Sequence, residues 1–514
     1  MNPTGCALMK IMLAAVMLAG CFPVSPVALD EIDAPVYLAE GVAEQTAEGL
    51  READRIAEGS PTYRVQAGRF EGGEVVIPSP APEEFSDFGT EFDVVQDISP
   101  TGADDLEALA QLVRTQNLRV AQAAEGVRRA DIERENAGFA LSPRIGGDID
   151  FGRIEERTGR TGGFTGTEGN YDSTILRVEA TQPLYDPAAI AARDAAERGQ
   201  GVARATYAAE TQAAVFEVTD TYLRGMTAKA RRELTARRLG RVREQLSAEN
   251  RLRDAGRSVA AAGLVLDVER GSAEGDLALF DQEIAGVLSD LARLTGRAVA
   301  GIDMFRPAST AFNVPNSIDT YVTAALQANP LMQQRRLETV RRRDLYREAV
   351  ARDFAPRVEG YARADYEGQG GSAGRIGTDT EEYAIGVRIS VPIYNRTGTG
   401  YAHRLAESAY RDATLSEVAL RRQLEAEITT LVARIDQGVR AMAGAQVSLS
   451  AARSLVTAER AAVEAGVTAP VAVLAREIQL IRAEESLLLR RFDILRARAR
   501  LAYLTGTDPV EALI

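Results

Sequence analysis

The chain of 514 residues has one histidine, two cysteines and no tryptophan. A single imidazole, His403, cannot build a His-rich metal site, and it leaves a Ser/His or Cys/His catalytic system without a spare. Cys6 and Cys21 both stand at the extreme N-terminus, so the body holds neither a disulfide framework nor a zinc knuckle. Lysine is confined to Lys10 and Lys229, and every other basic side chain besides His403 is an arginine. Net positive charge is missing as well: the total is −14. Nucleic-acid binding needs a basic footprint, and short runs such as 341–343 do not supply one. No phosphate loop of the Walker type occurs. Tyrosines, serines and acids exist, but nothing converges on a nucleophile–base set. The chain therefore reads as no enzyme, with no cofactor and no metal. At 26% charged and 45% hydrophobic it is nonetheless not globally disordered.

The charge is unevenly placed. Residues 22–100 hold 17 Asp or Glu against 4 Arg, a net of −13; Lys10 adds one positive charge, so residues 101–514 carry only −2. The acidic block is rich in Pro and Gly and reads as a charge-solvated spacer. Ahead of it, Met9-Lys10 precedes the apolar run 11–18 and then Ala19-Gly20-Cys21. A cation, a short apolar stretch and small residues before a cut make a secretory signal. Leu18-Ala19-Gly20-Cys21 resembles a bacterial lipobox, which implies cleavage before Cys21, acylation of its thiol and a lipid-anchored N-terminus.

The body repeats itself. Leu291-Ala292-Arg293-Leu294-Thr295-Gly296 matches Leu501-Ala502-Tyr503-Leu504-Thr505-Gly506, and Pro183-Leu184-Tyr185-Asp186 matches Pro392-Ile393-Tyr394-Asn395. Ala255-Gly256 and Pro143-Arg144 match Ala465-Gly466 and Pro356-Arg357 in the same order. Units this long exceed any solenoid repeat, so the pattern reads as a duplicated domain. The organisation expected is a signal peptide over 1–20, an acidic extension over 21–100, a first repeat over 101–300, a linker over 301–316 and a second repeat over 317–514.

Each half predicts a helical stretch (104–140; 318–353), a β-like stretch (143–185; 356–394), a long helical stretch of roughly 65 residues (187–254; 399–464) and another helix up to the Leu-Thr-Gly stop. At about 1.5 Å per residue the long helices reach about 100 Å, and helices of that length survive only by packing on neighbours, as in coiled coils. Gly256 and Gly466 suit the turns between them. Four stretches alternate with period two, each about ten residues, the length of a tilted strand crossing a bilayer. Their polar series is Asp148 and Asp150, Arg177 and Glu179, Glu359, Arg363 and Asp365, then Arg388. Four strands cannot close a barrel and an open edge is forbidden in lipid, so a membrane-crossing sheet requires several chains to share one barrel.

This plan resembles the TolC family of outer-membrane exit ducts across about residues 101–510. The match rests on the duplicated helix–strand–strand–helix–helix order, the two strand-end motifs above, Asn329-Pro330 near a helix start and the two glycine tips. The resemblance implies a mainly α chain with a small β part. It also implies a homotrimer with a long antiparallel helical barrel and a shared 12-stranded outer-membrane β-barrel. The polar series above would line the barrel lumen. The periplasmic mouth, meeting a periplasmic adaptor and through it an inner-membrane transporter, would lie at Asp254, Gly256, Arg257, Ser258, Glu464, Gly466, Val467 and Thr468. One departure stands out: the acids that family members often carry about six residues past the tip glycine are replaced by Ala262 and Ala472. Cation-sensitive gating is therefore not carried over, and Asp254, Asp267, Glu464 and Glu477 read as ordinary helix-surface charges. The function expected is the channel of a tripartite small-molecule efflux system. The alternatives are the duct of a type I protein secretion system and a lipid-anchored periplasmic coiled-coil scaffold without a pore.

Overall fold

A computed structural model describes residues 105–157, 168–254, 260–313, 317–370, 378–393, 401–468 and 470–514. In each half, two helices precede two strands and two helices follow them. The first half is α1 (Leu106–Gln116), α2 (Leu118–Phe139), β1 (Arg144–Arg157), β2 (Glu168–Tyr185), α3 (Pro187–Asp254) and α4 (Ala260–Thr295). The second half is α5 (Ile318–Ala328), α6 (Pro330–Phe354), β3 (Arg357–Gln369), β4 (Thr378–Ser390), α7 (Ala402–Glu464) and α8 (Pro470–Thr505). Between the halves runs a linker with one 3-10 turn, Ser309–Phe312. The described residues form two compact units, one of 130–199 and 338–413, the other of 105–129, 200–337 and 414–514.

The first unit contains the sheet, with antiparallel order β1-β2-β3-β4. Its small helical core joins Tyr346 and Val350 to Phe354 and Ala406. The second unit is helical. Leu109, Val113, Val218, Tyr222, Leu291 and Leu294 are buried in one cluster, and Met332, Ile428, Leu431, Ile435, Leu501 and Leu504 in a second. Full burial of such side chains stabilises by about 1.5–3 kcal/mol each, which the weak amphipathicity of very long helices needs. A smaller cluster of Val242, Leu266, Leu474 and Ile478 holds the helices together toward the ends at Asp254 and Glu464.

Two expectations change. The helical stretches expected over 104–140 and 318–353 each divide into two helices, at Asn117 and at Asn329, the second beside the helix start expected at Asn329-Pro330. Both residues are extended and buried. Asn117 Oδ1 accepts from the amides of Arg119 (3.0 Å) and Val120 (3.4 Å), while its Nδ2 donates to the Leu294 carbonyl at 3.0 Å. Asn329 Oδ1 accepts from the Met332 amide and its Nδ2 donates to the Leu504 carbonyl, both at 3.0 Å. Each amide thus starts one helix and satisfies a carbonyl at the end of another, where helices leave groups unpaired. The strands, expected at about ten residues, span 14, 18, 13 and 13. Pairing carries on through Gly-, Ser- and Asp-containing segments that lack apolar alternation.

Candidate functional site: a two-faced sheet and the helix ends

Side chains in a strand alternate between faces, and directly paired residues share one. The register places Asp148 opposite Arg177, Arg177 opposite Asp365, and Asp365 opposite Glu382. Glu179 faces Arg363, and Glu359 faces Arg388. Asp150 lies two residues from Asp148 on the same strand and therefore on the same face. All eight sequence-picked polar residues thus come to one face of one sheet. Six of them are joined by ion pairs. Arg177 Nε donates to Asp365 at 2.8 Å, Arg363 reaches Asp365 at 2.6 Å, and Arg388 holds Glu359 at 2.7 Å and Glu179 at 3.6 Å. The face also carries Glu367, Glu382 and Tyr361, which the sequence reasoning passed over. Arg363 donates to Glu382 at 2.9 Å, and the Arg388 guanidinium stands 5.0 Å from the centre of the Tyr361 ring. Both signs alternate along the face, so it is wet without a strong field of either sign.

The opposite face is apolar and open. Ile149, Phe151, Tyr383, Ile385, Val387 and Ile389 are all exposed, Phe151 at 78% and Ile385 at 74%. Charge returns there toward the β1–β2 and β3–β4 ends, at Arg153, Glu155, Asp172, Asp379 and Glu381 among others. β1 and β4 form the two edges of the sheet, and neither is capped by another strand among the described residues.

At the far ends of the long helices, Gly466 takes φ +71°. Its amide donates to the Val463 carbonyl, and the Val467 amide donates back to Ala462, both at 2.9 Å. This is the left-handed glycine stop that satisfies terminal carbonyls. Asp254 and Glu464 are exposed, and Val467 is 76% exposed. Gly256, Arg257 and Ser258 lie outside the described residues, as does Cys21. Glu477 is held by Arg460 at 2.5 Å and Arg241 at 3.9 Å, and Asp267 by Arg270 at 3.1 Å. A hydrogen bond with Glu244, then the charges of Glu477 and Glu244, raise the Arg241 pKa above its ordinary value. These two acids are helix-surface partners. Nearby, Leu264, Val265 and Val268 are all exposed, so an apolar patch stands near the positions where acids were absent. Its spacing, i, i+1 and i+4, was present in the sequence but indistinguishable there from a core stripe.

His403 lies on α7, its Nδ1 3.1 Å from Asp353 Oδ2 and its ring 5.4 Å from that of Phe354. It belongs to the packing of the sheet unit. Among the described residues no group of three or more His, Cys, Asp or Glu is placed to hold a metal. No helix among them is long and apolar enough to cross a membrane.

A family model described as outer membrane efflux protein matches residues 109–297 and again residues 321–507. The chain belongs to the outer membrane efflux protein family. It is a TolC-like exit duct, mainly helical with a small strand part. Relatives within reach of this family include the alkaline protease secretion protein AprF of Pseudomonas aeruginosa. That protein is 27% identical over 392 residues, covering 71% of this chain and 77% of AprF. The outer membrane protein TolC of Vibrio cholerae is 22% identical over 339 residues, 64% of this chain and 76% of that one. The crystal structure of the Campylobacter jejuni CmeC outer membrane channel shares the fold. Its TM-score is 0.67 at 13% identity, over 78% of this chain and 85% of CmeC. The two family matches straddle the linker, each containing one Asn clamp and one strand pair.

Proposed function

We propose that three copies of this outer membrane efflux family chain close one β-barrel and work with a periplasmic adaptor and an inner-membrane transporter to export small molecules. The observation that carries this reading is the sheet: one exposed apolar face, one charged face and two uncapped edges. In hydrocarbon each unsatisfied backbone group costs several kcal/mol, so β4 of one copy must pair with β1 of the next. Two copies would give eight strands, a barrel whose interior side chains fill. Three give twelve and leave a lumen lined by Asp148, Asp150, Arg177, Glu179, Glu359, Arg363, Asp365 and Arg388. The helical units then form the periplasmic tunnel. Asp254, Gly256, Arg257, Ser258, Glu464, Gly466, Val467 and Thr468 form its mouth and meet the adaptor. Cleavage before Cys21 and acylation of its thiol anchor the extension over 21–100 at the inner leaflet of the outer membrane. The first repeat takes residues 101–300, the linker 301–316 and the second repeat 317–514. The duct is passive, and its partner supplies the energy.

A second reading, the duct of a type I protein secretion system, is favoured by the likeness to AprF, whose name describes secretion of a protease. Deleting the gene and measuring both drug tolerance and the secreted proteome separates the two. Loss of tolerance with an unchanged secretome supports efflux. A vanished secreted protein with intact tolerance supports secretion. A water-soluble monomer after delipidation would refute both and leave the scaffold without a pore.

A further inference from the structure

The helical unit carries a cleft of about 520 Å³ beside the linker, within the range of about 300–1,000 Å³ typical of ligand pockets. Its floor is apolar, built by Met226, Phe305 and Phe492 among others, and belongs to the edge of the first core. Its rim is basic: Arg237, Arg306, Arg453 and Arg491 surround a single acid, Glu484. Glu484 is already engaged by Arg237 at 3.0 Å and Arg453 at 4.0 Å. Arg306 and Arg491 are exposed, and neither has an ion-pair partner among the described residues. An excess of three positive charges gathers over an apolar floor in a body, residues 101–514, whose net charge is only −2. It fits an occupant that offers rings and carboxylates together.

The chain itself contains such a segment. Residues 85–93 read Phe85-Ser86-Asp87-Phe88-Gly89-Thr90-Glu91-Phe92-Asp93, so three of the 14 phenylalanines fall within eight residues, with acids between and after them. We infer that this segment docks into the arginine-rimmed cleft of its own chain. Aromatic rings bring large apolar area into such a floor. Guanidinium groups hold carboxylates by charge-assisted, bidentate hydrogen bonds and stack on ring faces. The connection allows it. Helix α1 begins at Leu106 and packs Leu109 and Val113 into the same core whose edge floors the cleft. Eleven residues separate Asp93 from Asp105, a span of up to about 40 Å when extended. A tether of this length gives an effective concentration in the mM range, so docking needs little intrinsic affinity. The acidic extension thereby becomes a strap on the helical unit rather than a free spacer.

The cysteine-free body makes the test simple. In the full-length, membrane-extracted protein, Phe88→Cys is paired with Met304→Cys at the linker side of the cleft, and a short bis-maleimide is added. Phe92→Cys with Met304→Cys is the second pair, Ser60→Cys with Met304→Cys the distant control, and Met304→Cys alone controls for Cys21. The expected result is an intrachain cross-link for the first two pairs, identified by peptide mass. It should fall at least tenfold when Arg306→Glu and Arg491→Glu are added, and fall similarly in 1 M salt, where screening acts within about 3 Å. A cross-link between two chains would overturn the intrachain docking in favour of a second copy as occupant. A yield equal to that of the Ser60 control, or unchanged by charge reversal in chains that still assemble, would overturn it outright.

Discussion

The two halves of the body solve one structural problem twice, with different margins. Both break the first helix at a buried asparagine, and both end the last helix at a left-handed glycine, Gly296 at φ +74° and Gly506 at φ +78°. A methyl group on Gly296 would meet only Gln116, at 3.9 Å or more, which is ordinary contact. On Gly506 it would overlap the backbone of Ala328, with the carbonyl carbon at 2.7 Å. The second half therefore packs α5 against the end of α8 with no room to spare, whereas the first half leaves slack between α1 and α4. Duplication has kept the topology while tolerance to change has diverged.

That contrast sets the order of expected effects, all read as the midpoint of thermal unfolding in detergent. Gly506→Ala should be the most damaging, because the left-handed penalty of about 1–2 kcal/mol adds to an overlap with immovable backbone. Gly296→Ala should show the penalty alone; equal losses would erase the proposed difference between the halves. Next, Asn117→Ala and Asn329→Ala should each cost about 1–3 kcal/mol, because each removes a cap and strands a carbonyl. Asn329→Asp keeps the cap acceptor but sets a buried carboxylate oxygen against the Leu504 carbonyl, so it should cost at least as much as Asn329→Ala. If Asn117→Ala were silent, the symmetry of the two clamps would be wrong. Tyr222→Phe should cost about 1 kcal/mol. The Tyr222 hydroxyl donates to the Asp303 carbonyl at 2.8 Å and accepts from its amide at 3.0 Å, tying the linker to the first half.

The smallest effect is a pH dependence in the second half. Burial raises the Tyr503 pKa above its ordinary 10.0; Arg500 opposes this, and Glu210 and Glu427 add to it. Its ring packs 5.0 Å from that of Phe216. A pKa raised on folding stabilises below the unfolded value and loses that contribution as pH rises past 10 through the folded value. Tyr503→Phe should flatten the alkaline limb of a stability–pH curve. An unchanged limb would mean that another group governs it.

Much of the fold was legible because its signals are periodic or repeated. The alternation at Ile145–Phe151 and 383–391 marks strands on its own, and the Leu-Thr-Gly stops mark helix ends. The polar face was readable because a strand assigns every second residue to one side. The Asn117 break was not legible: helical periodicity continues on both sides of it, and its role depends on a carbonyl 177 residues away. Asn329 carried a local sign only because Pro330 follows. The β2–β3 pairing, which joins Arg177 to Asp365, is likewise non-local. Glu382 was missed because Thr378–Glu382 has no apolar alternation, although it extends the ladder. The exposed Leu264, Val265 and Val268 could not be told from core residues without knowing which helix face is covered.

The central claim is that the charged face of this sheet lines a water-filled passage. Reversal potentials of single channels of the purified protein in planar bilayers, with and without Arg177→Glu and Arg388→Glu, test it most directly. The account predicts discrete conductance steps whose selectivity shifts toward cations in the variants. Absence of steps, or steps whose selectivity ignores both substitutions, would contradict it.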